Sequence, residues 1–295
     1  MLRGLLVVNA FLKTNKFDDI YLTLAKAAEK KDIRLSVLTN AEAVALLCKM
    51  PETLAEYDFC LFWDKDVQLA MQLEAAGMRL FNSASAILKC DDKALTWLSL
   101  RGEKDIALPE TILAPKTFPN IGYTNLDFLS TVADKLGFPV IVKECFGSFG
   151  QQVYLADHME ELQAIVKRLE GIPMLFQKPV MESLGRDVRI NVVGEKVVAC
   201  ILRHGGAGEF RSNITLGGSM EPYTPTEAEA QLAIRTVKAL GLDFAGVDVL
   251  FGNDGPVLCE VNSNAHFKTT LECTGVNMAD EIMNHIIVQL EREKQ

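Results

Sequence analysis

The stretch from Gly246 to Asn264, GVDVLFGNDGPVLCEVNSN, admits few folds. Two short apolar runs flank Asn253-Asp254-Gly255, and a loop ending in glycine is a common three-residue hairpin connection, a type I turn followed by a left-handed bulge. A turn centred on Asp254 sets Asp248 opposite Glu260 and Leu250 opposite Leu258. Side chains alternate along a strand, so Glu260 and Asn262 share a face that Asp248 joins from across the ladder. Like charges directly opposed on a sheet destabilise it unless something neutralises them. Two carboxylates and an amide oxygen, with room for water and phosphate, are ligands that Mg2+ accepts. The competing reading is an ordinary hairpin whose Asp248 and Glu260 lie on a wet face and pair with lysines.

What surrounds the hairpin decides between these. A chain of 295 residues exceeds the usual single domain, so two or three compact units are expected. Hydrophobic residues make up 49% and charged residues 23%, as in ordinary globular proteins, and no run approaches the roughly 18 apolar residues of a membrane span. Leu5-Leu6-Val7-Val8 is too short for a signal-peptide core, so a cytoplasmic protein with no membrane partner is expected. The net charge of −9 and the lack of a basic cluster with interleaved aromatics argue against nucleic acid. Seven cysteines, an odd number without C-x-x-C spacing, indicate neither a disulfide framework nor a zinc site.

The first 80 or so residues alternate strand and helix, which predicts a parallel sheet with right-handed crossovers. Strands are expected at Leu5 to Val8, Ile33 to Leu38, Phe59 to Trp63 and Arg79 to Phe81, with helices at Asp18 to Lys31, Ala41 to Lys49 and Val67 to Ala76. No G-x-G-x-x-G follows the first strand, so this part is not a standard dinucleotide binder. Asn82-Ser83 caps a helix through Leu88, and Asp91-Asp92-Lys93 opens another through Leu100. A lysine at that first turn opposes the helix dipole; it is either solvated surface or aimed at an anion that the helix end also attracts.

From Pro109 the pattern changes, marking a boundary. A helix from Thr124 to Leu136 precedes the strand Phe138 to Lys143, the loop around Gly147-Ser148-Phe149-Gly150, and the strand Val153 to Ala156. Flanking glycines let successive N–H groups point at phosphate oxygens, although a lone G-x-x-G hairpin is also what an ordinary turn looks like. After a helix from Glu160 to Leu169, the strand Met174 to Gln177 runs into Lys178-Pro179-Val180 and must leave its sheet at proline, freeing backbone groups for a planar heterocycle. Arg186 to Val193 and Lys196 to Arg203 pair around Gly194-Glu195, placing Asp187, Arg189 and Asn191 on one face. Arginines here and in Phe210-Arg211-Ser212-Asn213 suit phosphate or carboxylate recognition, with surface ion pairing as the alternative. Helices from Glu227 to Leu240 and from Ala279 to Glu293 complete the chain.

Lys93, the strand ending at Lys143 with its glycine loop, Gln177 to Val180, Arg186-Asp187-Val188-Arg189, Phe210 to Asn213, and Asp248 with Glu260-Val261-Asn262 occur in one order. Together they resemble the ATP-grasp superfamily, and within it the RimK-type carboxylate–amine ligases. The resemblance covers the chain closely from Asn82 to its end and more loosely before it. It implies an α/β fold with an N-terminal parallel-sheet domain (1–85), linker helices and a central lid (86–180), and a C-terminal antiparallel-sheet metal domain (181–295). It also implies ATP and two Mg2+, with Mn2+ as a substitute. Lys93 and Lys143 would contact ATP phosphates, and Gly147, Ser148, Phe149 and Gly150 would cover them. Gln177, Lys178, Pro179 and Val180 would border adenine, with contacts from the Lys178 and Val180 backbone, and Asp187 would hold the ribose. Arg211, Ser212 and Asn213 would line the phosphate and acceptor side, and Asp248, Glu260 and Asn262 would bind the metals.

The chemistry so implied is phosphoryl transfer to a carboxylate, giving an acyl phosphate and ADP, followed by attack of an amine. Arg189 and Arg203 are the candidates for binding the carboxylate and stabilising the oxyanion. Partners are then a small amino acid and a carboxylate acceptor; family members are often oligomeric, so a homo-oligomer is one expectation. A biosynthetic ligase acting on a carrier protein or cofactor tail and a non-catalytic nucleotide-binding regulator are the competing functions. One departure stands out: where RimK-type ligases often continue from the metal asparagine with a Ser-Pro-Gly-like turn, this chain has Ser263-Asn264-Ala265-His266-Phe267-Lys268. It puts glutamate specificity in doubt, and His266 and Lys268 either read the substrate or are solvated.

Overall fold

A computed structural model describes residues 1–13, 17–147, 150–206, 208–212 and 217–294. Its strands form three sheets, one parallel and two antiparallel. The first contains β1 (Leu2–Val8), β2 (Ile33–Thr39), β3 (Phe59–Phe62) and β4 (Leu80–Phe81) in the order β2-β1-β3-β4. Helices α1 (Asp18–Glu29), α2 (Asn40–Lys49) and α3 (Val67–Ala75) make its crossovers. Both faces of such a sheet are covered, which is why β1 reads as a continuous apolar run and not an alternation. Leu6 and Val8 enter one core with α1, and Leu5 and Val7 enter another with α2 and α3.

Two helices follow, α4 (Ala84–Asp91) and α5 (Lys93–Leu100), capped by Ser83 and Asp92. The second sheet is β5 (Thr111–Leu113), β6 (Val140–Glu144), β7 (Val153–Ala156) and β8 (Met174–Gln177), ordered β5-β8-β6-β7. Its apolar face packs on α6 (Phe128–Leu136) and α7 (Met159–Arg168). The helix expected from Thr124 begins only at Phe128, because Leu126 and Asp127 already close tight turns with Leu129 and Ser130. Strand β8 ends at Gln177, two residues before Pro179, as a residue without an N–H requires.

The third sheet is β9 (Arg186–Val193), β10 (Lys196–His204), β11 (Ser219–Pro222), β12 (Phe244–Gly252) and β13 (Gly255–Asn262), ordered β11-β10-β9-β12-β13. Helix α8 (Glu227–Leu240), entered through a capping box at Thr226 and Glu229, covers the face made by Val188, Ile190, Val247 and Val249. Near the end of the chain come α9 (Lys268–Thr274) and α10 (Met278–Glu293). Helix α10 buries Ile282, Met283 and Ile286 in the same core as Leu6, Val8 and Phe244, so the first and third sheets share a core. Each such side chain contributes about 1.5–3 kcal/mol of burial, enough to hold the two sheets in fixed relation.

The hairpin differs from expectation in one respect. Asp248 does face Glu260, and Gly246 faces Asn262, but beyond Asp248 the register shifts by one residue and Leu250 faces Val257 instead of Leu258. Gly252 pairs with Gly255, so the connection is the two-residue Asn253-Asp254 loop. The extra residue is taken up at Cys259 as a bulge, a device common beside functional sites. Among the described residues no helix is long and apolar enough to cross a membrane.

Candidate active site

Alternation along the third sheet sends its apolar residues to α8 and its charged residues to the opposite face. Arg203 pairs with Asp187 across β10 and β9, Arg189 with Asp248 across β9 and β12, and Asp248 with Glu260 across β12 and β13. The result is a row of charge in which Arg203 and Arg189 are set against Asp187 and Asp248, and Asp248 meets a like charge, Glu260, at the hairpin. Arg203 grips Asp187 through Nε at 2.7 Å and through Nη2, and Nη2 also reaches Asp248 Oδ2 at 3.0 Å. Arg189 holds Asp248 through Nε and, at 2.7 Å, through Nη2. Each guanidinium therefore spends one edge on aspartate, while its Nη1 takes part in none of these bonds.

The row sets the two aspartates apart. Burial raises the pKa of Asp187, and Arg203 with the Ser212 hydroxyl only partly offsets that. Asp248 is equally buried, yet Arg189 and Arg203 together outweigh burial and hold it below the usual carboxylate range. Burial alone would lower Arg203, but the two carboxylates raise it further above its already high ordinary value. The two aspartates are thus shifted in opposite directions, because burial is set against one arginine at Asp187 and against two at Asp248. Gly246 makes room for this: a Cβ there would lie 2.7 Å from the Ala265 Cβ and 3.1 Å from Arg189 Cδ.

Beside the row, Lys93, Lys143, Gln177, Leu258, Cys259 and Glu260 line a cleft. Lys93 Nζ lies 3.3 Å from the Gly147 carbonyl and 3.6 Å from Glu260 Oε1. The N-terminus of α5 does not contribute free donors, since Asp92 accepts from the Ala94 and Leu95 N–H groups and Lys93 N donates to Cys145 O. What Lys93 brings is its ammonium. Lys143 is 8% exposed, and no carboxylate lies within ion-pair distance of it among the described residues; its Nζ lies 4.0 Å from Cys259 Sγ. The bulge brings that thiol into the cleft, where burial pushes its pKa up to about 11 against the pull of Lys143.

The glycine loop is fastened at both ends. Gly147 has φ 151° and Gly150 φ 69°, backbone that favours glycine. The Gly147 carbonyl faces Lys93, and the Gly150 carbonyl accepts from Arg211 Nη1 at 2.8 Å. Arg211 is itself held by Glu209 through two bonds of 2.7 and 2.8 Å. Ser148, Phe149 and Asn213 lie outside the described residues. Gln177 donates to Thr111 Oγ1 at 3.0 Å, and the Lys178 N–H donates to the Glu110 carbonyl at 2.9 Å, which fixes the exit of β8 through Pro179 and Val180.

Asp248, Glu260 and Asn262 supply oxygen donors on one face of the hairpin, a hard set suited to Mg2+. Among the described residues Asn262 Nδ2 is buried without a partner, so turning the amide to present its oxygen sacrifices no bond at that atom. Asp248 Oδ2 is taken up by Arg189 and Arg203, whereas Oδ1 carries the Arg189 Nε bond and retains a second lone pair for a metal. The donors fit a divalent cation, with the amide as the third ligand; among the described residues no three His, Cys, Asp or Glu side chains group for a metal.

Sequence reasoning missed Glu209 as the clamp on Arg211, and Asn82 as more than a cap. Asn82 is fully buried; its Oδ1 accepts from Asp243 N and Phe244 N, and its Nδ2 donates to Phe244 O and Ser263 O at 3.0 Å each. A polar residue between a buried strand and a capping serine was the only signal. Lys268 pairs with Asp19, and His266 meets the Phe17 ring edge-on at 5.6 Å, so both tie the departing segment to α1 and the residue before it.

This architecture, with a glycine-bearing antiparallel sheet and a charged antiparallel sheet about a lysine-lined cleft, is the ATP-grasp fold. It superimposes on D-alanine–D-alanine ligase from Bacillus anthracis complexed with ATP at a TM-score of 0.75, covering 99% of this chain and 98% of that one at 20% identity. Residues 90–286 match the RimK-like ATP-grasp domain, and the chain belongs to that family. It is 32% identical to beta-citrylglutamate synthase B of Danio rerio over 274 residues, 92% of this chain and 64% of that protein. To human N-acetylaspartylglutamate synthase A it is 36% identical over 208 residues, 69% of this chain and 51% of that protein. The matches thus span half to two thirds of these relatives.

Proposed function

We propose that this protein is an ATP-dependent carboxylate–amine ligase that activates a carboxylate as an acyl phosphate, releases ADP, and joins the acyl group to the amine of glutamate or a similar amino acid. The observation that carries this reading is Lys143: a buried lysine without a carboxylate partner among the described residues, sharing a cleft with Lys93 and Glu260, calls for an anionic ligand. Phosphate satisfies it. Lys93 and Lys143 bind the phosphates, and the loop from Gly147 to Gly150, held by Arg211, covers them. Gln177 to Val180 border the adenine.

Asp248, Glu260 and Asn262 would hold Mg2+, which when bound neutralises charge on the transferred phosphoryl group. Arg189 and Arg203 offer their unused Nη1 edges to the substrate carboxylate and to the oxyanion formed on amine attack, fixed in place by Asp248 and Asp187. Asp187, taken up by Arg203 and Ser212, serves the ribose side through that network. The names of both relatives share glutamate, which supports glutamate as the amine.

The test is ADP release with Mg2+, ATP, L-glutamate and a panel containing N-acetylaspartate, citrate and short peptides ending in glutamate. Release should require both an amine and a carboxylate, yield a product heavier by one amide-linked glutamate, and vanish in Glu260→Gln. Release that ignores the amine, or none with any pair, counts against the reading.

A further inference from the structure

The second sheet ends on one side at β7, which pairs with β6 alone among the described residues. The Glu144 N–H donates to the Gln152 carbonyl and the Cys145 N–H to the Pro173 carbonyl, which fixes the phase of the ladders on either side of β6. In an antiparallel pair, directly hydrogen-bonded residues alternate with residues that are not. Tyr154 and Ala156 therefore turn their backbone groups to β6, and Val153 and Leu155 turn theirs outward. Free edges are ordinarily blunted by charge, proline or a bulge. Val153-Tyr154-Leu155-Ala156 has no charged residue and no proline, and its register with β6 runs without a shift.

A groove follows this edge. It is lined by Tyr154 and Leu155 of β7, by Ile165 and Arg168 of α7, and by Phe210 and Arg211 of the segment after β10. A strand edge beside a helix is the setting in which an extended peptide adds as a further strand, its main chain giving affinity and its side chains specificity. From Glu161 to Arg168, α7 advances about 10 Å, which leaves room for about three extended residues.

Charge selects the occupant. Helix α7 ends in Lys167 and Arg168, both exposed. The Arg168 guanidinium lies 4.7 Å from the centre of the Tyr154 ring, and no carboxylate is within ion-pair distance of it among the described residues. The acids nearby are occupied. Glu161 accepts from the Asp157 N–H at 2.8 Å and meets His158, Glu209 holds Arg211, and Glu144 accepts from the Tyr154 hydroxyl at 2.7 Å. The unspent charge in the groove is thus positive, in a chain whose net charge is −9. A second copy of this chain meeting edge to edge would present another uncharged strand and leave Arg168 unanswered.

We propose that the edge of β7 docks an extended peptide bearing carboxylate side chains, which joins the second sheet as a further strand and meets Arg168. The site goes beyond the ligase reading. Arg211 both lines the groove and holds the Gly150 carbonyl, so a docked peptide lies against the glycine loop.

The experiment is fluorescence anisotropy on the full chain without nucleotide. The probes are a fluorescein-labelled peptide that alternates valine and glutamate, and the same peptide with glutamine in place of glutamate. The glutamate peptide should bind saturably and the glutamine peptide at least about ten-fold more weakly, the scale of a charge-assisted hydrogen bond. Arg168→Glu should weaken the glutamate peptide by at least about ten-fold and narrow the gap between the two. Leu155→Pro, which removes an outward N–H where an edge strand tolerates proline, should weaken both peptides about five-fold. Melting temperatures near wild type place the loss at the groove, and if Leu155→Pro unfolds, Arg168→Glu on its exposed side chain decides alone. Binding that is absent, equal for both peptides, or unmoved by Arg168→Glu overturns the proposal. So does self-association of the chain that Leu155→Pro abolishes, which would assign the edge to a second copy. No turnover enters the measurement, so its outcome is separate from that of the ligase assay.

Discussion

Buried carboxylates in this molecule divide by what neutralises them. Asp248 and Asp187 share two arginines, and removing one partner leaves an uncompensated charge in the interior, which costs about 3–5 kcal/mol in comparable pairs. Arg189→Ala should therefore lower both thermal stability and activity, whereas Arg189→Lys, which keeps the charge but not the fork, should recover stability more than activity; melting curves beside initial rates resolve the two. Among the described residues Asp64 lacks such a partner, and burial raises its pKa. For a raised carboxyl the sign is fixed: its stabilising contribution is present below the unfolded pKa, about 3.9, and is lost as pH rises through the folded value. Asp64→Asn should consequently gain stability relative to wild type between pH 4 and pH 7, read as the difference in denaturation midpoint at the two pH values. A constant difference across that range would contradict the assignment.

The glycine loop and the hairpin are the elements that make the site. Arg211 joins the second sheet's loop to the segment after β10 through the Gly150 carbonyl. Arg211→Ala should raise the KM for ATP about ten-fold, the scale of a lost charge-assisted hydrogen bond, with little change in melting temperature; an unchanged KM would detach the loop from nucleotide binding. Gly246→Ala tests the hairpin, because its methyl group would displace Arg189 or the Ala265 segment, and kcat should fall before stability does. Much of this was legible in the sequence because it follows from strand periodicity: the facing of Asp248 and Glu260, the shared face of Asp187 and Arg189, and the exit of β8 at Pro179. The Cys259 bulge was not, since a one-residue slip leaves the apolar pattern beyond it equally well satisfied. Nor was the pairing of Arg189 and Arg203 with aspartates, because which strands lie side by side in a sheet is set by packing and not by local pattern. The short strands β5 and β11 were missed for the same reason: each is defined by its partner, β8 or β10.

For the whole molecule, the first and third sheets act as one body because α10 fills a core common to both and Asn82 bonds across them. Asn82→Ala would strand buried donors and acceptors and should cost about 2–5 kcal/mol, the sum of several hydrogen bonds at about 1 kcal/mol each with the penalty of unmet partners. The loss should appear as a lower unfolding temperature with the cleft residues untouched. The same rigidity places Asp64, which follows β3 of the first sheet, beside Asn264, which follows β13 of the third, joined by a bond from Asn264 Nδ2 to the Asp64 carbonyl. The central claim is that these parts together activate a carboxylate by phosphorylation. Its most direct test is the fate of oxygen: with the acceptor carboxylate labelled in both oxygens with ¹⁸O, each turnover with ATP, Mg2+ and L-glutamate should yield ADP and inorganic phosphate carrying one ¹⁸O atom. Unlabelled phosphate, or AMP and pyrophosphate in place of ADP, would contradict it.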